Sequence, residues 1–108
     1  MVLLQEKCIP CEGDVSPLNP SEIAELLSEV TGWQQESNKK IWRDFTFKNF
    51  VQAVDFINRI VDVAEYEDHH PDVCLHDYRY VRAELMTHAI NGLSRNDFIV
   101  AAKIDEIA

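Results

Sequence analysis

His70 is followed by Pro71, and that dipeptide cuts the longest helical pattern in the chain. A proline ring crowds the residue before it out of helical geometry, so a helix arriving here has to stop just short of it. One does arrive. Asn49 stands as an N-cap with Gln52 at the capping-box position, and Phe50, Val54, Ile57, Val61 and Ala64 recur along one face. His69 and His70 are therefore expected at a helix-to-strand junction.

The flanks repeat one theme. Before the central helix, NPSEIAELLSEVTGW opens with Asn19 as N-cap, Pro20 at the first helical position and Glu22 at the box position; Ile23, Leu26, Leu27 and Val30 follow at helical spacing, and Gly32 ends the run. Between Trp33 and Phe47 a polar tip, ESNKK, separates aromatic-containing flanks, which predicts a hairpin. After the helix, VCLHDYRYVRAELMTH predicts a second strand pair, with Val81, Ala83, Leu85 and Thr87 of one parity and Tyr80, Arg82, Glu84, Met86 and His88 of the other, more polar one. Ser94 with Asp97 forms a further capping box and opens a last helix, RNDFIVAAKIDEI. The order α-β-β-α-β-β-α predicts an α+β fold, a four-stranded antiparallel sheet with three helices packed on one face. Residues 1–18, with Pro10, Gly13 and Pro17 and no periodicity, read as an irregular leader crossing the surface of a single domain at 19–108.

Composition narrows the function. A hydrophobic share of 46% and a charged share of 27% are those of a globular chain. The net charge of -9 repels phosphate backbones and anionic membranes, so neither nucleic acid nor membrane is expected as a direct partner. No apolar run reaches spanning length, and MVLLQEKC is too short and too soon charged for a signal peptide, which points to the cytoplasm. The three cysteines, Cys8, Cys11 and Cys74, do not suggest a disulfide framework. Cys8 and Cys11 have CxxC spacing, but a structural zinc site takes four ligands, and no second CxxC or HxxxH pair exists to complete one.

The chemistry-bearing residues gather at element ends. EYEDHHPDVCLHDYRY places His69 and His70 among carboxylates, and His88 follows one strand later. Imidazole titrates nearest neutral pH, so it can give and take protons at a reacting centre. Cys74 has no nucleophile signature around it. Adjacent residues of an extended chain point to opposite sides, so His69 and His70 make a poor joint metal site.

Glu65, His69, His70, Pro71, Tyr78, His88 and Asp97 stand at the spacing of a family signature: an acidic residue, three positions, His-His-Pro, an aromatic after five or six, a histidine after nine more, and an aspartate beyond. With Gly32 and Trp33, FTFKNF at 45–50, THAINGLSRND at 87–97 and the KCIPCEG leader, the chain resembles a pterin-4a-carbinolamine dehydratase of bacterial type. The resemblance implies loss of water from 4a-hydroxytetrahydropterin to give quinonoid dihydropterin, without metal or cofactor, in a homodimer or homotetramer. On that reading His69 and His88 form the acid–base pair and His70 binds and orients the pterin. Glu65 and Asp97 hold imidazoles in a useful state, Asp68 and Tyr78 support the pocket, and Pro71 fixes the turn. Two other readings stay open, a non-catalytic oligomeric binding module and a dehydratase-like protein of molybdopterin metabolism.

Overall fold

The computed structural model describes residues 3–10 and 16–108; Cys11 and Gly13 of the leader lie outside the described residues. Helix α1 spans Pro20–Leu27, strands β1 and β2 span Gln34–Glu36 and Lys40–Thr46, and helix α2 spans Phe50–Glu67. Strands β3 (Asp72–His76) and β4 (Tyr80–Leu85) and helix α3 (Arg95–Ile107) complete the order, with short 3-10 turns at Leu3–Gln5 and His88–Ile90. The four strands form one antiparallel sheet in the order β1-β2-β4-β3. This is the α+β architecture expected from the sequence.

Two tight hairpins set the register. Ser37 and Asn38 in the first turn and Asp77 and Tyr78 in the second all have positive φ. Successive residues of that kind match the twist of antiparallel strands in a short loop. In the central pair Ile41 lies opposite Leu85 and Phe45 opposite Val81, and all four side chains are buried together with Ala83. That parity carries the helices. Phe56 of α2 packs its ring 4.8 Å from both Phe45 and Phe47.

Arg43 shares the buried parity, opposite Ala83. A cation there needs a partner, and Asp105 of α3 supplies it: the guanidinium and the Trp33 indole N–H both donate to Asp105 Oδ1 at 2.9 Å. Gly32 makes room for this, because a Cβ at that position would lie 2.5 Å from the Arg43 guanidinium.

Four expectations need correction. Helix α1 ends at Leu27 rather than at Gly32, because Glu29 and Val30 close tighter three-residue turns onto Leu26 and Leu27; Val30 still reaches the core. The buried stripe of α2 is Ala53, Phe56, Ile60, Ala64 and Glu67, whereas Phe50 and Val61 are half exposed. The helix carries two apolar stripes, and the one richer in large residues is the outer. His88 is not part of strand β4, which stops at Leu85, but opens a 3-10 turn. The leader does not merely cross the surface, since Leu3 is fully buried in the core.

Candidate active site

The site forms where α2 stops. Asp68 caps the helix in the left-handed conformation, at φ 51 and ψ 43, and its N–H bonds back to Ala64 O. The turn leads through His69 and His70 to Pro71 and β3. The two histidines open onto a cleft of about 600 Å³, a size suited to a small organic ligand. Its walls come from the leader at Lys7–Pro10, from the helix end at Glu67–His70, from Met86–Ala89, and from Asn96.

His69 is the better held of the two. Its side chain is 13% exposed and its Nε2 lies 2.6 Å from Oδ1 of the fully buried Asp97. Asp97 accepts two more hydrogen bonds on Oδ2, from Thr87 Oγ1 at 2.9 Å and from the Ser94 N–H at 3.0 Å. Thr87's one hydroxyl proton is thereby committed, so Ser94 Oγ donates to Thr87 Oγ1 across their 2.7 Å contact. A carboxylate fixed by two donors on Oδ2 presents Oδ1 as an acceptor to Nε2, which puts the ring proton on Nε2 and leaves Nδ1 as the variable nitrogen. His70 is paired to Glu65 through Nε2 at 2.5 Å, with both side chains mostly exposed. His88 lines the cleft from its turn, exposed, and its side chain makes no hydrogen bond or ion pair with a described residue.

The fold thus brings His69, His70, His88 and Asp68 to one cleft, with Asp97 behind His69 and Glu65 beside His70. Pro71 sits in the connection to β3. Tyr78 is not brought there: it occupies the β3–β4 turn, 59% exposed and with φ of 54, at the far end of the hairpin from His70.

Sequence reasoning missed Glu67, Lys103 and Asn96, and weighed Cys8 only as half of a CxxC pair. Glu67 is buried, ion-paired with Lys103, and accepts the Cys8 N–H at 2.8 Å. Burial alone would raise its carboxyl pKa, but the hydrogen bonds from Lys103 and Cys8 and the charges of Lys103 and Lys7 hold it below the ordinary carboxylate value. The same pocket acts oppositely on the thiol, where burial and then the Glu67 charge push Cys8 up to about 12. Glu67 did leave a trace in the sequence, as the charged residue three positions beyond Ala64.

An antiparallel sheet backed by helices, with imidazoles and a buried carboxylate at one cleft, defines a small α+β protein equipped for proton transfer. The family model described as pterin 4 alpha carbinolamine dehydratase matches residues 16–107. A protein of Nitrosomonas europaea is 52% identical over 104 residues, covering 95% of this chain and 90% of its own. One of Halorhodospira halophila is 43% identical over 108 residues, covering 99% and 98%. Both carry a provisional pterin-4-alpha-carbinolamine dehydratase name. The crystal structure of a transcriptional coactivator/pterin dehydratase from Brucella melitensis superposes with a TM-score of 0.79 at 36% identity, covering 86% of this chain and 99% of that one. The chain belongs to the pterin 4 alpha carbinolamine dehydratase family, whose general activity is that of a pterin lyase.

Proposed function

We propose that this protein removes water from 4a-hydroxytetrahydropterin, as in the recycling of the tetrahydrobiopterin used in aromatic amino-acid hydroxylation. The reaction breaks the C4a–O bond and forms the N5–C4a double bond. The departing hydroxyl takes up one proton and N5 loses one, so the products are water and quinonoid dihydropterin. Two proton transfers on neighbouring atoms need two positioned groups. The observation that carries the reading is the 2.6 Å contact from His69 to buried Asp97, which fixes the ring and leaves Nδ1 free to exchange a proton at the cleft. His69 and His88 share the transfers, while His70, held by Glu65, binds and orients the ring system. Asp68 borders the same opening.

The test is turnover of the carbinolamine by alanine variants. His69→Ala or His88→Ala should each lower the rate by roughly 10²-fold or more, with circular dichroism unchanged. His70→Ala should raise KM more than it lowers kcat, as lost ground-state binding does. A folded double variant of His69 and His88 that dehydrates at the parental rate would overturn the histidine assignment, and a parent no faster than the uncatalysed reaction would leave the binding-module reading. Comparing pterins with different C6 substituents addresses the molybdopterin alternative.

We also propose that the chain works in the cytoplasm as a homodimer or homotetramer. Strands β1 and β3 leave two open sheet edges, and Phe50, Val51 and Val61 of α2 are half exposed or more. Sedimentation at micromolar concentration should show at least twice the chain mass; a monomer throughout would refute the assembly. No described helix is long and apolar enough to cross a membrane.

A further inference from the structure

Glu67 stands where a helix like α2 calls for an apolar residue. It continues the buried face of Ala53, Phe56, Ile60 and Ala64, and its side chain has no exposure. Burying an ion pair is seldom a route to stability, because apolar replacements of both partners are often neutral or stabilising. The Glu67–Lys103 pair therefore needs another reason, and its contacts supply one.

Those contacts lead to the leader. Glu67 Oε1 accepts the Cys8 N–H at 2.8 Å, and Lys7 Nζ lies 4.0 Å from the same oxygen. From α3, Asn96 closes on the next residue at two points, accepting the Ile9 N–H at 3.1 Å and donating to the Ile9 carbonyl at 2.5 Å. The Cys8 thiol donates to the Asn96 carbonyl. Lys7 Nζ is tied in turn to the Tyr66 carbonyl at 2.6 Å. Two consecutive backbone units are thus gripped by side chains of α2 and α3, and they belong to the segment that lines the same cleft as His69 and His70. This wall precedes the stretch matched by the family model, which begins at residue 16.

We propose that Glu67, with Lys103 and Asn96, acts as a set of positioning residues that clamp Lys7–Pro10 into a fixed wall of the pterin cleft. The inference rests on the dehydratase reading above and deepens it: the histidines set the rate, and the clamped leader sets how tightly the pterin is held. A wall ordered before the ligand arrives spares binding the cost of ordering it.

The test is the double variant Glu67→Leu with Lys103→Leu, which removes both charges and keeps apolar bulk, so folding should survive. Its KM for the carbinolamine should rise about tenfold while kcat changes less than about threefold, as for lost uniform binding. Binding of 7,8-dihydrobiopterin, which cannot dehydrate, should weaken by the same factor. Amide exchange at Ile9 should quicken about tenfold, although its own acceptor Asn96 is untouched. Asn96→Ala should move KM in the same direction, and the triple variant should add little. A folded double variant with parental KM, or with parental exchange at Ile9, would overturn the clamp. If the parent itself fails to dehydrate the carbinolamine, the dehydratase reading falls, while the exchange of Ile9 and the binding of dihydrobiopterin still decide whether the clamp exists.

Discussion

Helix α3 carries a buried or half-buried aspartate at each end, and the two have opposite employment. Asp97, in the first turn, sits where the helix dipole favours a negative charge and where Ser94 and Thr87 donate to it; its remaining oxygen holds His69. Asp105, in the last turn, faces the unfavourable end of the dipole. Burial raises its pKa despite the Trp33 and Arg43 hydrogen bonds and the Arg43 charge. An arginine and an indole hold their protons at any working pH, so Asp105 can only fasten strand β2 to the helix. An imidazole can exchange a proton near neutrality, so on the proposed dehydratase reading the carboxylate behind it would support chemistry. On that reading the partner, more than the burial, separates the two aspartates.

The strongest way to break this contrast is Asp97→Asn. The amide can still accept from Ser94 and Thr87 while presenting an N–H to His69 Nε2, which would drive the ring proton to Nδ1. Turnover should fall by about 10²-fold or more, the scale of a lost acid or base, with the fold retained by circular dichroism. A variant with parental turnover would show that the tautomer does not matter. Asp105→Asn should do the reverse, leaving turnover unmoved and costing about 1–3 kcal/mol of stability, read as a lower Tm. Loss of activity in a folded Asp105→Asn protein would erase the distinction.

Acid sharpens it further. The Asp105 carboxyl is raised, so the folded protein holds that proton more tightly than the unfolded chain does. Its contribution to stability grows as pH falls from the raised folded value towards the ordinary carboxylate value. The Tm gap between parent and Asp105→Asn should therefore widen on mild acidification; a narrowing gap would contradict the assignment. Glu67, whose carboxyl is lowered, acts in the opposite sense: its contribution is complete above the ordinary value and is lost as pH falls to its lower folded one. The smallest effect belongs to Gly32→Ala. The atoms nearest the new methyl all belong to the Arg43 guanidinium, the far end of a long side chain, so the loss should be about 1 kcal/mol or less. It should shrink when Asp105 is already asparagine, and full additivity would mean that Gly32 serves some other contact.

What could be read in the sequence was whatever depends on local spacing. Caps at Asn19, Asn49 and Ser94, the stop at Pro71 and the strand alternations all act within a few residues, and they place the four strands and three helices in order. Asp97 was legible as a helix cap and, through the family signature, as a partner for imidazole. The inner stripe of α2 was not, because Ala53 and Ala64 weigh little beside Phe50 and Val61, and only the sheet decides which stripe is covered. Tyr78 kept the spacing of the signature yet fell in a turn. Glu67, Lys103 and Asn96 act on residues 59 and 87 positions away or on each other across 36, and no periodic pattern reports such pairs.

The leader's attachment also constrains the order in which the molecule can assemble. Glu6 meets Arg95 across 89 positions and Ile9 meets Asn96 across 87, so these contacts close a loop of almost the whole chain. Synthesis runs from the N-terminal side at roughly 5–20 residues per second, so Leu3 waits several seconds for the α3 residues it packs against. Hairpins and the central helix can form in the meantime, since their contacts are local. The wall of the cleft cannot. A nascent chain with both histidines already in place would still lack the Lys7–Pro10 side of the cleft, which can be fastened only after α3 has been made.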